Sequence, residues 1–151
     1  MSVSAEIAEL WGAGAPLLYL VTGEEERAVA LCRAAAEGFD ARLAVWSARR
    51  GVERLAPAAR DPLAALEAVL AAPAPVLAVL LDFHLALRDP AVARAVRDAL
   101  PRLGAEGRCL AVVAPRLELP DGLAGDAAVL RVPLPDAGDL AYLAGFDLVH
   151  T

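Results

Sequence analysis

The turn after the first apolar run of this sequence is rich in carboxylates. The run covers 17–22, and the residues that follow it are Gly23, Glu24, Glu25, Glu26 and Arg27. A phosphate-binding loop needs several glycines to expose its backbone N–H groups, a lysine for the phosphates and a Ser or Thr for magnesium. This turn has one glycine and no lysine, and each close carboxylate would repel a polyphosphate by roughly 1–4 kcal/mol. The turn therefore predicts a site that does not bind a nucleotide.

A second segment whose residues could carry out chemistry is Asp82-Phe83-His84, at the end of the third apolar run. ATPases hold magnesium with an aspartate at such a strand end, and the acid that follows it polarises the attacking water. Phe83 stands in place of that acid, and Asp82 can equally be a turn or helix cap. His84 could act as a general base, but no Ser or Cys is placed as its nucleophile. We therefore interpret His84 as a structural, hydrogen-bonded histidine and predict no catalytic residue and no cofactor.

An alternative uses the same carboxylates for a cation. Glu24 or Glu25 could meet Asp82 at the edge of a sheet and hold a divalent metal, as in a receiver domain of a signalling protein. A receiver also needs a Ser or Thr after its fourth strand and a lysine after its fifth, where this chain has Ala114 and Pro133. A solvated acidic helix start is the simpler interpretation, and metal binding stays the alternative.

Composition narrows the classes of partner. All 14 basic residues among the 151 are arginines, the net charge is −6 and the pI is about 4.9. This balance opposes binding to nucleic acid and to anionic membranes, and no apolar run approaches the roughly 20 residues that span a bilayer. Cys32 and Cys109 have no metal-ligand spacing, so we predict buried, inert thiols in a cytoplasmic protein.

Five apolar runs alternate with helical patterns, which predicts an α/β fold. The runs are 17–22, 42–47, 76–82, 108–114 and 128–132. Continuous apolar runs are typical of parallel strands covered by helices on both faces. The pattern predicts one domain over 1–151, a three-layer α/β/α sandwich with a five-stranded parallel sheet. It comprises an N-terminal helix at 3–11, a core at 16–135, and a C-terminal helix and tail at 136–151.

Helix signals and one aromatic complete the pattern. Thr22 and Glu25 are spaced as a capping box. Asp61-Pro62 and Asp89-Pro90 each place a capping acid before a proline at the first helical position. Pro101 should bend or end the helix at 90–103. Trp46, at the end of the second strand, is interpreted as core or sheet-edge packing instead of a ligand platform.

Several spaced segments resemble one family. They are PLLYLVTGEEERA (16–28), LAVWSARRGVERL (43–55), DPLAALEAVL (61–70), VLAVLLDFHLALRDPAVARAVRDAL (76–100), LAVVAPRLELP (110–120) and AVLRVPLP (128–135). This series resembles the N-terminal domain of the uncharacterised AAA+ ATPases named after a hypothetical chloroplast reading frame. In that family a degenerate α/β domain without a Walker A motif precedes an active AAA+ module. The resemblance implies the strand order 5-1-4-3-2 of P-loop ATPases.

The resemblance also bears on function. The family's catalytic motifs belong to the AAA+ module, so the resemblance assigns none of them to this chain. The chain is then an excised domain or a free-standing relative, and its apolar tail packs on the domain or on a partner. We therefore expect a non-catalytic domain for protein interaction or assembly, with an AAA+ ATPase module or its client as partner. The metal-binding or receiver-like role of Glu24, Glu25 and Asp82 is the alternative, and self-association stays open.

Overall fold

The computed structural model describes residues 2–133, which form a sheet with helices on both faces. The helices are α1 (Val3–Gly12), α2 (Glu25–Gly38), α3 (Pro62–Ala71), α4 (Phe83–Ala86), α5 (Pro90–Ala105) and α6 (Asp121–Ala124). The strands are β1 (Leu17–Val21), β2 (Arg42–Ser47), β3 (Gly51–Glu53), β4 (Val76–Leu81), β5 (Arg108–Ala114) and β6 (Ala127–Arg131). The five predicted strands are confirmed to within a residue at each end. The predicted C-terminal helix and tail at 136–151 lie outside the described residues.

The sheet has six strands in the order β3-β2-β4-β5-β1-β6 and is mixed. The predicted five-stranded, all-parallel sheet is therefore wrong, and the order differs because β3 adds to the edge of β2. Strand β3 runs antiparallel to β2, with Trp46 opposite Val52, whereas the other neighbouring strands are parallel. Three residues are too few to carry a recognisable alternation of apolar and polar side chains. Gly51 begins β3 at a φ of +66°, and a Cβ there would collide with the carbonyl of Pro57.

Buried strand residues alternate between two cores, one on each face of the sheet. In β1, Leu17 and Tyr19 face a core that α3 and α5 cover, while Leu18 and Leu20 face a core that α1 and α2 cover. Strand β5 repeats this pattern and is buried at all seven positions. Burial of both faces is the reason that these strands have continuous apolar sequences.

Two of the predicted helix caps are confirmed. Oδ2 of Asp61 accepts hydrogen bonds from the N–H groups of Leu63 and Ala64, both at 3.1 Å. Asp89 accepts from the N–H of Ala91 at 2.9 Å, and a proline follows each acid at the start of its helix. Of the two outcomes predicted for Pro101, an early end of the helix is wrong, because α5 continues to Ala105. Within residues 2–133, no helix is both long and apolar enough to cross a membrane.

Candidate functional site

Parallel strands place their carboxyl ends at one edge of the sheet, which is where ligands bind in open α/β folds. At the end of β1, the N–H of Thr22 donates to the carbonyl of Ala114 at 2.9 Å, so the chain is still paired with β5 as the turn begins. Oγ1 of Thr22 accepts from the N–H of Glu24 at 3.0 Å. Helix α2 begins only at Glu25, and its N-cap residue, Glu24, makes no side-chain capping bond. The predicted capping box is therefore wrong, because the Thr22 hydroxyl closes its own short turn.

Arg27 connects this turn to the end of the sheet's outer strand. Its guanidinium lies 3.4 Å from a carboxylate oxygen of Glu24 and donates to the carbonyl of Pro133, just after β6. Its side chain is only 10% exposed. The positive charge nearest to the turn is thus engaged by protein groups on two sides, and Glu24 turns towards it.

Asp82 begins the connection after β4 in a left-handed backbone conformation, with φ 56° and ψ 26°. Its N–H donates to the carbonyl of Val113 at 2.9 Å, and its carboxylate makes no capping bond to α4. Asp is among the few residue types that accept this conformation readily. The residue is exposed and lines the crevices at this edge of the sheet.

Two crevices at this edge include Asp82 in their lining. The smaller, about 210 Å³, lies at the ends of β1 and β5 and includes Thr22, Gly23, Glu25 and Asp82 in its lining. The larger, about 780 Å³, lies at the ends of β2 and β4 and adds Arg49, Arg50 and Trp46 to Glu25 and Asp82. Glu25 and Asp82 therefore line both crevices.

The three candidate metal ligands are not brought together. Glu24 lines neither crevice and pairs with Arg27 instead. Among residues 2–133, no three His, Cys, Asp or Glu side chains form a group that could hold a metal ion. Of the two pairs considered, Glu24 or Glu25 with Asp82, only Glu25 and Asp82 line the same crevices, because Glu24 is the N-cap residue of α2 and pairs with Arg27 in its first turn. Glu26, the last of the three consecutive glutamates, lies in the first turn of α2 and is exposed.

Phe83 and Trp46 belong to the core. Phe83 is 1% exposed and meets Trp46 edge to face, with ring centroids 5.3 Å apart. Nε1 of Trp46 donates to the carbonyl of Ala59 at 3.1 Å. The place of a catalytic acid is therefore filled by an aromatic ring that packs inward, away from both crevices.

His84 is buried, with 4% of its surface exposed. Its Nδ1 has no hydrogen-bond partner among the described residues, so the predicted hydrogen bond is wrong for this atom. His84 lines a separate cavity of about 300 Å³ together with Arg88 and Glu118. Bidentate hydrogen bonds from Arg88, at 2.9 and 3.0 Å, hold the pKa of Glu118 below its usual range. A nucleophile for His84 is not among the residues of this cavity.

Tyr19 was missed by the sequence analysis. It is fully buried, and its hydroxyl donates to the carbonyl of Arg116 at 2.6 Å and accepts from the N–H of Glu118 at 3.2 Å. Burial raises the pKa of Tyr19, so the hydroxyl stays protonated and fixes the segment after β5. The apolar run around Tyr19 predicts its burial, but its partners lie 97 and 99 residues away.

The two thiols are predicted to be inert in the native protein. Cys32 and Cys109 are both 0% exposed, and burial raises the pKa of Cys32 to about 12. Because the thiolate is the reactive form, we expect neither residue to react with Ellman's reagent at mildly alkaline pH before denaturant is added. Both thiols should react with the reagent once the chain is unfolded in urea. Release of a full equivalent of chromophore from the native chain would contradict this expectation.

Comparisons with known proteins agree with this architecture. The family model for the N-terminal domain of SpoVK-like AAA ATPases matches residues 3–132. The uncharacterised AAA domain-containing protein ycf46 of Guillardia theta is 30% identical over 132 residues, which are 83% of this chain and 26% of that protein. The chain therefore spans about a quarter of the length of this relative.

Two solved structures share the fold. A chain of the HORMA:CdnC:Trip13 complex of E. coli MS115-1 has a TM-score of 0.62 at 14% identity, over 93% of this chain and 62% of its own length. A DNA replication initiation factor also has a TM-score of 0.62, at 15% identity over 98% of this chain and 49% of its own. At such identities the likeness concerns the fold alone. The family match, by contrast, covers most of the sequence, and the chain belongs to the family of N-terminal domains of SpoVK-like AAA ATPases.

Proposed function

We propose that this domain is a non-catalytic module for protein interaction or assembly that works beside an AAA+ ATPase module or its client. The observation that carries the proposal is the small crevice at the ends of β1 and β5. In an ATPase of this layout a nucleotide's phosphates would lie there, but here Glu25 and Asp82 line it.

The chemistry of the turn supports this proposal. A phosphate site needs free backbone N–H groups, a lysine and a free hydroxyl for magnesium. Here the Glu24 N–H is bonded to the Thr22 hydroxyl, and the guanidinium of Arg27 is engaged by Glu24 and Pro133. Carboxylates at the start of α2 occupy the field of the helix N-terminus that would otherwise attract an anion. A nucleotide would have to displace these bonds and approach two carboxylates.

The relatives support the choice of partner. The Guillardia theta protein is described as containing an AAA domain, and the family is that of N-terminal domains of AAA ATPases. A domain that adjoins an ATPase without binding nucleotide itself can contribute through its surface, by docking on the ATPase or on the protein that the ATPase acts on.

This proposal predicts that ATP and ADP do not bind. Isothermal titration with either nucleotide, with and without magnesium, should give no saturable heat up to millimolar concentration, because Glu25 and Asp82 repel the phosphates. Micromolar affinity would overturn the proposal.

The alternative, a divalent-metal site, is tested by a titration with magnesium alone, followed by the fluorescence of Trp46 and Trp11. A saturable change that Asp82→Asn abolishes would favour a divalent-metal site instead.

A further inference from the structure

One surface pocket differs in charge from the rest of this acidic domain. It lies between α5 and α6, has a volume of about 320 Å³ and is lined by three arginines and no carboxylate. Its apolar floor includes Leu87 and Leu123, which are 3% and 1% exposed. We call it the arginine pocket. The chain as a whole carries a net charge of −6, so this pocket is a local exception.

Two of the three arginines have their charge balanced from outside the pocket. Arg88 makes the bidentate pair with Glu118, and Arg94 lies 2.7 Å from a carboxylate oxygen of Asp98, one turn along α5. Both pairs are largely exposed, so they hold these side chains only weakly.

Arg97 has no such partner. No residue in the described range 2–133 forms an ion pair with it, although it stands on the same helix as Asp98. Its side chain lies across Gly122, where a Cβ would be 3.1 Å from Nη1 and 3.6 Å from Cδ. The missing side chain at position 122 thus leaves room for the guanidinium beside the pocket. A guanidinium in this position offers a planar fork of donors that matches a carboxylate.

We propose that the arginine pocket binds an acidic segment of a protein partner, with one apolar side chain on the floor and a neighbouring carboxylate on Arg97. The inference rests on the proposed function, since it names the surface and the partner chemistry of an interaction domain. A short acidic segment fits better than nucleic acid, because the positive lining is limited to the three arginines of this pocket, and the domain's net charge of −6 opposes a long polyanion more strongly than a few carboxylates. Apart from the arginines and Gly122, the lining residues of the pocket are apolar, so an apolar side chain of the segment can pack against them.

The test uses the whole chain and two fluorescein-labelled peptides, DELFDE and its basic counterpart KKLFKK, measured by fluorescence anisotropy. We expect DELFDE to bind and KKLFKK not to bind. Arg97→Gln should weaken binding of DELFDE about tenfold or more, because a charge-assisted bidentate contact is lost. Arg60→Gln, which removes the same charge from an exposed site outside the pocket, should change the affinity less than about twofold.

A second pair of variants tests Arg97 without removing it. Ala93 lies one helical turn before Arg97 and lines the same pocket. A glutamate four residues before an arginine forms a weak but favourable helix pair, and its carboxylate would also repel an acidic peptide, so Ala93→Glu should weaken binding of DELFDE while the chain stays folded. Ala93→Gln has nearly the same shape without the charge and should retain more of the affinity.

The outcomes separate the two proposals. Equal binding of both peptides, no binding of DELFDE at millimolar concentration, or unchanged affinity in Arg97→Gln would overturn the arginine pocket, while the nucleotide titration would be unaffected. Tight ATP binding would overturn the proposed function, whatever the peptides do.

Discussion

Replacing Phe83 with glutamate is expected to lower the free energy of unfolding by about 4 kcal/mol or more near neutral pH, instead of restoring an ATPase. The substitution would recreate the pair of acids that ATPases carry at this strand end. Phe83, however, is 1% exposed and packs edge to face on Trp46. The change therefore removes a core aromatic ring and buries a carboxyl group without a cation. Urea unfolding followed by tryptophan fluorescence measures the loss, and a phosphate-release assay should detect no gain of ATP hydrolysis.

The part of the destabilisation that comes from the buried charge can be separated by matched variants and by pH. Phe83→Gln buries an uncharged polar side chain of the same size as glutamate, and Phe83→Leu keeps the site apolar. Burial should raise the pKa of the introduced carboxyl above about 4.3, its usual value in an unfolded chain. The glutamate variant is then least destabilised below that pH and loses stability as the pH rises through the folded pKa. Equal stability of the glutamate and glutamine variants near neutral pH would contradict this account.

Replacing Arg108 with methionine is expected to cost about 3 kcal/mol. Arg108 begins β5 with a side chain only 10% exposed, and its guanidinium donates to the carbonyls of Val69 and Ala72 at the end of α3. Its Nε donates to Glu106 at 2.8 Å. Methionine replaces the stem but leaves the two carbonyls without these donors. Denaturant unfolding is the measurement, and a loss below about 1 kcal/mol, the range of exposed ion pairs, would refute the buried role.

Arg94→Gln is the matched control, because it removes an arginine whose pair with Asp98 is exposed. It should change the free energy of unfolding by less than about 0.5 kcal/mol.

The pKa of Glu106 is a second measurement of the role of Arg108. Hydrogen bonds from Arg108 and then Arg102 hold its pKa below the usual range, so the pKa should rise in Arg108→Met. This interaction stabilises the fold above the ordinary pKa of the carboxyl and is lost as the pH falls through the lowered value.

Features that depend on neighbouring residues could be predicted from the sequence. The caps of Asp61 and Asp89 bond N–H groups two or three positions ahead, so the spacing of the residues decides them. The strands buried on both faces needed only their continuous apolar runs. The lack of a lysine at the first turn is a matter of composition, which folding cannot change. The resemblance to the AAA N-terminal domains followed from the same segments and was confirmed by the family match.

Features that depend on distant residues were decided by the tertiary structure. Strand β3 exists because the chain turns back along β2, and the bond of Arg27 to Pro133 joins residues 106 positions apart. Glu24 forms an ion pair with Arg27 and does not line the crevices with Asp82. The side chain of Arg97 lies over Gly122, which has no side chain to displace it. The sequence by itself therefore determined which residue types the first turn contains and lacks, and the fold decided which side chains lie at the crevices and which are engaged by distant residues.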